Sequence, residues 1–315
     1  MRRSSCATSS CACQRRRPIV SRSIRVLLEV RTPYRLDWTV EALRRVPTNP
    51  VDVMTAQGCY MRAFSDGNGT TIVEVTQPRR DAIDIRLSGS AAKRHLQTVA
   101  MMLGANVDLR DWYRRVRAFP WLARLARDLR GLKPPRYPEL WETLCHGIVF
   151  QQLSIVAAAA IMQRFVVRFS TPVANGKIRL YPFPRPQSIA AARESSLRQL
   201  GLSAMKASYL KAAAKGILAG DIDAQTIESL PSDAASCALQ ALRGVGRWSA
   251  AVVLLRGFGR LDVFPPTDSG ASRNMKVLSA NPSIDSEKLL AALDGTRGML
   301  YFHLLLGGLR GMLPR

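Results

Sequence analysis

Leu242-Arg243-Gly244-Val245-Gly246-Arg247-Trp248-Ser249-Ala250, with Asp268 further downstream, is the stretch that decides the fold of this 315-residue chain. A helical segment runs into Gly244, one apolar residue separates it from Gly246, and a second helical segment starts at once. Glycine tolerates positive φ and lets the backbone lie close against another surface. The spacing therefore predicts a tight hairpin whose free N–H groups open the second helix. Those N–H groups, together with the positive end of the helix dipole, suit a phosphate. Taken alone, Gly-x-Gly between helices is equally compatible with a plain helix cap.

Composition points the same way. The chain carries 46 Lys and Arg against 23 Asp and Glu, a formal charge of +23. A polyanionic partner explains that excess, because Arg and Lys displace the counterions condensed on phosphates. With 47% hydrophobic and 22% charged residues the composition is that of an ordinary globular protein. The apolar runs Ala250 to Leu255 and Leu300 to Leu306 are far too short to span a bilayer, so no membrane partner is expected. Six cysteines are scattered. Cys6, Cys11 and Cys13 fall in a Ser/Arg-rich leader without histidine, and Cys59, Cys145 and Cys237 read as small buried hydrophobes in a reducing compartment. No metal site is expected from them.

Three regions follow from the pattern. Residues 1–23 hold Arg2, Arg3, Arg15, Arg16, Arg17 and Arg22, several serines and no acid, a composition that packs no core and reads as a disordered basic leader. An organellar targeting peptide, an upstream start codon and a DNA-attracting tail all account for it. Residues 24–108 carry mixed signals and predict an α+β domain. Ile24 to Val30, Cys59 to Phe64, Thr71 to Val75 and the alternating Ile83, Ile85 and Leu87 read as strands, with Asp66-Gly67-Asn68-Gly69 as a hairpin turn. Trp38 to Val46, after Asp37, and Ala91 to Met102 read as helices. Residues 109–315 are helical almost throughout. Leu140, Trp141, Leu144, Ile148 and Val149 recur at helical spacing, Gln151-Gln152-Leu153 interrupts, and Ser154 caps the next helix. A Pro-rich connection from Pro172 to Pro186 leads to a helix capped by Ser203. The two hairpin helices span about 233–257, an acidic loop covers 262–270, and two helices close the chain from about Asp285.

The hairpin and the following Asp262-Val263-Phe264-Pro265-Pro266-Thr267-Asp268 resemble the helix-hairpin-helix DNA glycosylase superfamily, most closely its DNA-3-methyladenine glycosylase II branch. Gln151-Gln152-Leu153-Ser154 and Gly201-Leu202-Ser203-Ala204-Met205-Lys206-Ala207 are similar to two further segments of that family. The resemblance covers Pro138 to Leu306 and extends faintly to Pro33-Tyr34 and Trp38. It implies a mainly α fold with a small N-terminal α+β domain, and a monomeric enzyme of base excision repair acting on double-stranded DNA that contains damaged bases. In a bacterial source such an enzyme is expected in the cytoplasm, at the nucleoid, with an organellar destination left open by the leader.

The resemblance also distributes roles. Asp268 matches the catalytic carboxylate, which stabilises positive charge building on the sugar as the N-glycosidic bond breaks. Asp262 matches an outer, structural acid. Gly244, Gly246 and Arg247 match the backbone grip, and Gln151, Gln152 and Leu153 match a wedge that fills the gap left by a flipped nucleotide. Trp248 stands where the bifunctional branch has a Schiff-base lysine, so the implied reaction is hydrolysis alone, leaving an abasic site. Trp248 also matches a pocket aromatic that attracts cationic alkylated bases, while a core role at a helix start competes with it. Hairpin carbonyls in the family hold a monovalent cation. No four-cysteine cluster follows Asp268, so an iron–sulfur cluster is not expected. Several positions depart from the pattern. Val252, Leu305 and Ala42 replace aromatics, and Gly295-Thr296-Arg297-Gly298-Met299 lacks the usual Trp-x-Pro. Lys206 reads as a solvated helix charge and His303 as structural. Two alternatives stay open: a non-catalytic DNA-binding protein that keeps the hairpin, and a same-fold glycosylase for another damaged or mismatched base.

Overall fold

The computed structural model describes residues 23–65, 69–89 and 91–312. The basic leader and the core of the Asp66–Gly69 turn lie outside the described residues. Strand β1 (Ser23–Glu29) and helix α1 (Leu36–Arg44) open the described chain. Four strands follow: β2 (Val53–Met54), β3 (Tyr60–Ser65), β4 (Thr70–Arg79) and β5 (Ala82–Gly89). They form an antiparallel sheet in the order β1-β5-β4-β3-β2, against which α2 (Ala92–Met102) packs. The alternating pattern read from the sequence is realised in β4 and β5. Val73, Val75, Ile83, Ile85 and Leu87 are fully buried, and Val99 and Met102 join them in one core. Helix α1 starts at Leu36 rather than after Asp37, whose carboxylate pairs with the preceding Arg35 instead of capping the helix.

The rest of the chain is helical: α3 (Arg110–Arg115), α4 (Pro120–Asp128), α5 (Leu140–Val149) and α6 (Ile155–Phe169), then α7 (Pro186–Ala191), α8 (Glu194–Arg198), α9 (Ala204–Ala219) and α10 (Ala224–Ser229). The hairpin joins α11 (Ser232–Gln240) to α12 (Arg247–Arg256), and α13 (Ser269–Ser279), α14 (Ser286–Ala292) and α15 (Arg297–Leu309) complete the fold. Ser154 caps α6 and Ser203 caps α9, each accepting from a backbone N–H three residues on. Strand β2 and three later elements were not read from the sequence. The Pro-rich connection contains a two-stranded hairpin, β6 (Val173–Asn175) and β7 (Ile178–Leu180), and α13 begins directly after Asp268. Leu180 packs on Met61 and Ala63, which explains why β3 is buried on both faces.

The helical region holds two cores rather than one. The first gathers α5, α6, α9, α11 and α12, and the second gathers α3, α4, α13, α14 and α15 with Ala42 of α1. A buried polar cluster fastens the sheet to α5. Arg62 donates to Asp52 at 2.8 Å and to Glu142, and the Tyr60 hydroxyl donates to Asp52 at 2.8 Å. Two carboxylates share one guanidinium in a dry setting, and burial pushes the Glu142 carboxyl up to about 7. Cys145 is buried and Cys59 half-buried as small apolar residues, but Cys237 is exposed on α11, contrary to the sequence reading. It sits on the face that α11 turns away from Ala235 and Leu239, its buried positions.

Candidate active site

The hairpin is built around one glycine that has no substitute. Gly244 has φ +87°, and a Cβ there would lie 2.3 Å from the ring carbons Cγ and Cδ2 of Tyr209 on α9. Gly246 differs. It is the N-cap of α12 with φ −92°, it is exposed, and a Cβ would meet nothing within 4 Å. The expectation that both glycines relieve strain therefore holds for Gly244 alone; at Gly246 the space is open on the protein side. Arg247, the first residue of α12, is exposed beside it, as is Arg243. The first-turn N–H groups of α12 have no side-chain cap. They face outward as donors with the helix dipole behind them.

The turn after α5 is locked to this hairpin. The Gln151 side-chain amide donates to the Gly244 carbonyl and to Ser249 Oγ, both at 2.7 Å, and Ser249 Oγ donates to the Gly147 carbonyl at 3.1 Å. Lys206 Nζ donates to the carbonyls of Val149 (2.9 Å) and Gln151 (2.7 Å). Lys206 is thus not a solvated charge: it caps the end of α5, and its partial burial lowers its pKa. Gln151 faces the protein interior, so the outward tip of the turn is Gln152 and Leu153. Gln152 has φ +54°, sparsely populated for a residue with a side chain, and Leu153 is 40% exposed. Tip and hairpin are therefore held in one fixed relation.

Asp268 stands at the seam between the two helical cores. Its Oδ1 accepts from the Ala271 N–H at 2.8 Å, capping α13, and its Oδ2 accepts from Trp248 Nε1 at 2.9 Å. Thr267, immediately before it, has φ +55°. Trp248 packs on the first core while Ala271 belongs to the second, so the carboxylate is clamped from both sides. Neither anchor neutralises it. Asp262 is exposed. His303 is fully buried with Nδ1 against the Met299 carbonyl, and burial lowers its pKa to about 4, so it is neutral and structural. Val252, Leu305 and Ala42 are all buried core residues.

The sequence reading missed Tyr209, Ser249 and Arg45. Tyr209 and Ser249 are visible once Gly244 is known to need cover, since Tyr209 lies three residues after Lys206 on the same helix and Ser249 lies in the first turn of α12. Arg45 carries no signal. It is the C-cap of α1 with φ +62°, yet its guanidinium is buried 4.3 Å above the Phe150 ring. Burial works against its charge, but Tyr137, Tyr301 and Asp268 outweigh that and keep it protonated.

Residues 145–295 match the model of the HhH-GPD superfamily base excision DNA repair protein. That region, just under half of the chain, belongs to the HhH-GPD superfamily. Similar relatives of the chain include a DNA-3-methyladenine glycosylase of Bacillus subtilis (strain 168), 29% identical over 54% of this chain and 56% of the relative. DNA-3-methyladenine glycosylase 2 of Escherichia coli (strain K12) is 27% identical over 75% of this chain and 82% of the relative. The chain thus spans about half the length of the first of these. Among solved structures, a 3-methyladenine DNA-glycosylase from Archaeoglobus fulgidus superposes with a TM-score of 0.76 at 23% identity, covering 90% of this chain and 98% of the other. An 8-oxoguanine glycosylase/lyase from Clostridium acetobutylicum, in complex with double-stranded DNA, gives 0.70 at 16% identity over 90% and 96%. The fold shared with these structures extends beyond residues 145–295 to the N-terminal sheet, whose place in it the sequence only faintly indicated.

Proposed function

We propose that this protein is a monofunctional DNA glycosylase that hydrolyses the N-glycosidic bond of alkylated bases in duplex DNA, working as a monomer. The observation that carries the reading is the carboxylate of Asp268, oriented by Trp248 and Ala271 and set beside an outward hairpin and an outward apolar turn. N–H groups of the α12 N-terminus with Arg247 hold the phosphates, and Gln152 and Leu153 enter the space of the extruded nucleotide. Gln151 positions the turn against the hairpin. As the bond from the anomeric carbon to the base nitrogen breaks, its electron pair leaves with the base and the sugar becomes oxocarbenium-like. Asp268 stabilises that charge and takes the proton of the water that adds to the anomeric carbon. Trp248 offers no amine, so no covalent sugar adduct forms.

A monovalent cation at the hairpin is compatible with the residues present. The Gly244 carbonyl is taken by Gln151, while those of Arg243 and Val245 receive no backbone hydrogen bond among the described residues. They would hold the cation, which when bound supplies a positive charge that bridges to a phosphate.

The test is incubation with defined duplexes carrying 3-methyladenine or 7-methylguanine. Base release with strand breaks only after alkali, and no borohydride-trapped complex, is expected. Trapping of the wild-type protein refutes the monofunctional mechanism. Binding without base release favours the non-catalytic alternative.

A further inference from the structure

Lys206 carries its charge where its own helix disfavours it. It is the third residue of α9, and its N–H donates to Oγ of the Ser203 cap at 3.2 Å. A cation in the first turn opposes the helix dipole. The ammonium reaches across instead to the carbonyls of Val149 (2.9 Å) and Gln151 (2.7 Å), at the C-terminal end of α5, where a cation is favoured. Neither carbonyl receives a backbone N–H among the described residues. The charge therefore serves the turn after α5 rather than α9.

The bond to Gln151 is the informative one. Its carbonyl lies in the peptide plane that enters Gln152, and the rotation of that plane about the Gln152 N–Cα bond is that residue's φ. Gln152 has φ +54°, which a residue with a side chain keeps only where its surroundings hold it. Lys206 holds the plane from the α9 side. The Gln151 side chain holds it from the hairpin side, through the Gly244 carbonyl and Ser249 Oγ. One turn further along α9, the Tyr209 ring covers Gly244. Helix α9 thus fixes both ends of one distance, with Tyr209 at the hairpin and Lys206 at the turn that carries Gln152 and Leu153.

We infer that Lys206 is a positioning residue for nucleotide extrusion: its ammonium holds the Gln152–Leu153 tip in the conformation that enters the duplex, at a distance from the hairpin set by α9. The inference rests on the glycosylase reading. A tip ordered in advance displaces a nucleotide without first losing conformational freedom of its own. Without the amine the peptide before Gln152 rotates to relieve its strain, and the tip must be ordered each time it enters the duplex. The loss weighs most where a paired base has to leave the stack and least where the lesion has no partner base. Lys206 acts through the tip, and bond breaking stays with Asp268.

The experiment measures single-turnover release of 7-methylguanine placed opposite cytosine and opposite an abasic analogue in otherwise identical duplexes, for the wild type, Lys206→Met and Lys206→Arg. The readout is the rate constant for the paired lesion divided by that for the unpaired one, within one preparation. A misfolded fraction cancels in that ratio, and a merely structural role lowers both rates alike. The ratio should fall at least tenfold in Lys206→Met and less in Lys206→Arg, which keeps the charge at the end of α5 but offers its donors as a planar fork. A ratio unchanged in Lys206→Met overturns the inference and leaves the glycosylase reading standing. A wild type that releases the base from neither duplex defeats both.

Discussion

Alanine at Gly244 and at Gly246 should separate two things that the Gly-x-Gly pattern joins. At Gly244 the added Cβ falls 2.3 Å from the Tyr209 ring and 2.8 Å from Tyr209 Cβ. The hairpin and α9 must part by about 1 Å to restore ordinary contact. The left-handed backbone adds about 1–2 kcal/mol for any residue with a Cβ. The shift also strains the hydrogen bond from Gln151 to the Gly244 carbonyl, worth about 1 kcal/mol. The sum is about 2–3 kcal/mol, a fall in Tm of roughly 3–5 °C for a chain of this length, together with weaker DNA binding because the hairpin moves. At Gly246 the backbone is ordinary and the space open, so the cost is confined to a poorer cap, at most about 1 kcal/mol. There the methyl instead stands between the α12 N–H groups and a phosphate. Gly246→Ala should therefore keep most of its thermal stability and lose about tenfold in affinity for damaged and undamaged duplexes alike. Thermal melts and fluorescence anisotropy at fixed salt measure both quantities. Equal stability losses in the two variants, or wild-type DNA affinity in Gly246→Ala, would refute the reasoning.

Trp248→Phe keeps a ring in place but removes the donor to Asp268; the turnover number should fall about tenfold, or 1.4 kcal/mol, with DNA affinity close to wild type, as single-turnover kinetics and anisotropy will register. A loss confined to affinity would return Trp248 to a purely packing role. Glu142 gives a pH signature. Its carboxyl is raised to about 7 by burial, so the native state holds a proton that the unfolded chain releases. That stabilisation is complete below the ordinary glutamate range and lost as pH rises through about 7. The Tm advantage of the wild type over Glu142→Gln should shrink over that interval, and an advantage that grows with pH would show instead that the ion pair with Arg62 dominates.

Much of the fold is written locally. Ser154 and Ser203 announce helix starts through cap chemistry, and the alternation of Ile83, Ile85 and Leu87 announces a half-buried strand. Gly244 is legible as a position that needs positive φ, although the sequence does not reveal that Tyr209 enforces it. Other features depend on contacts between distant segments. Gln151 and Lys206 look like exposed polar residues until the end of α5, the hairpin and α9 are brought together. The β6–β7 hairpin hides in a Pro-rich connection because its stability comes from docking Leu180 on the sheet. Arg45, next to Arg44, is indistinguishable from surface charge, and only the tertiary fold buries it against Phe150. The Trp248–Asp268 bond joins residues predicted separately, one for the base and one for the sugar.

The central claim is that the clamped carboxylate of Asp268 performs the reaction. Asp268→Asn preserves shape and keeps an oxygen to cap α13, while removing the charge beneath the sugar. Single-turnover base release from a 3-methyladenine duplex should fall by at least a thousandfold, about 4 kcal/mol in the barrier, with duplex affinity within a few-fold of wild type. A variant that releases the base at a near-wild-type rate would contradict the account and turn attention to Asp262.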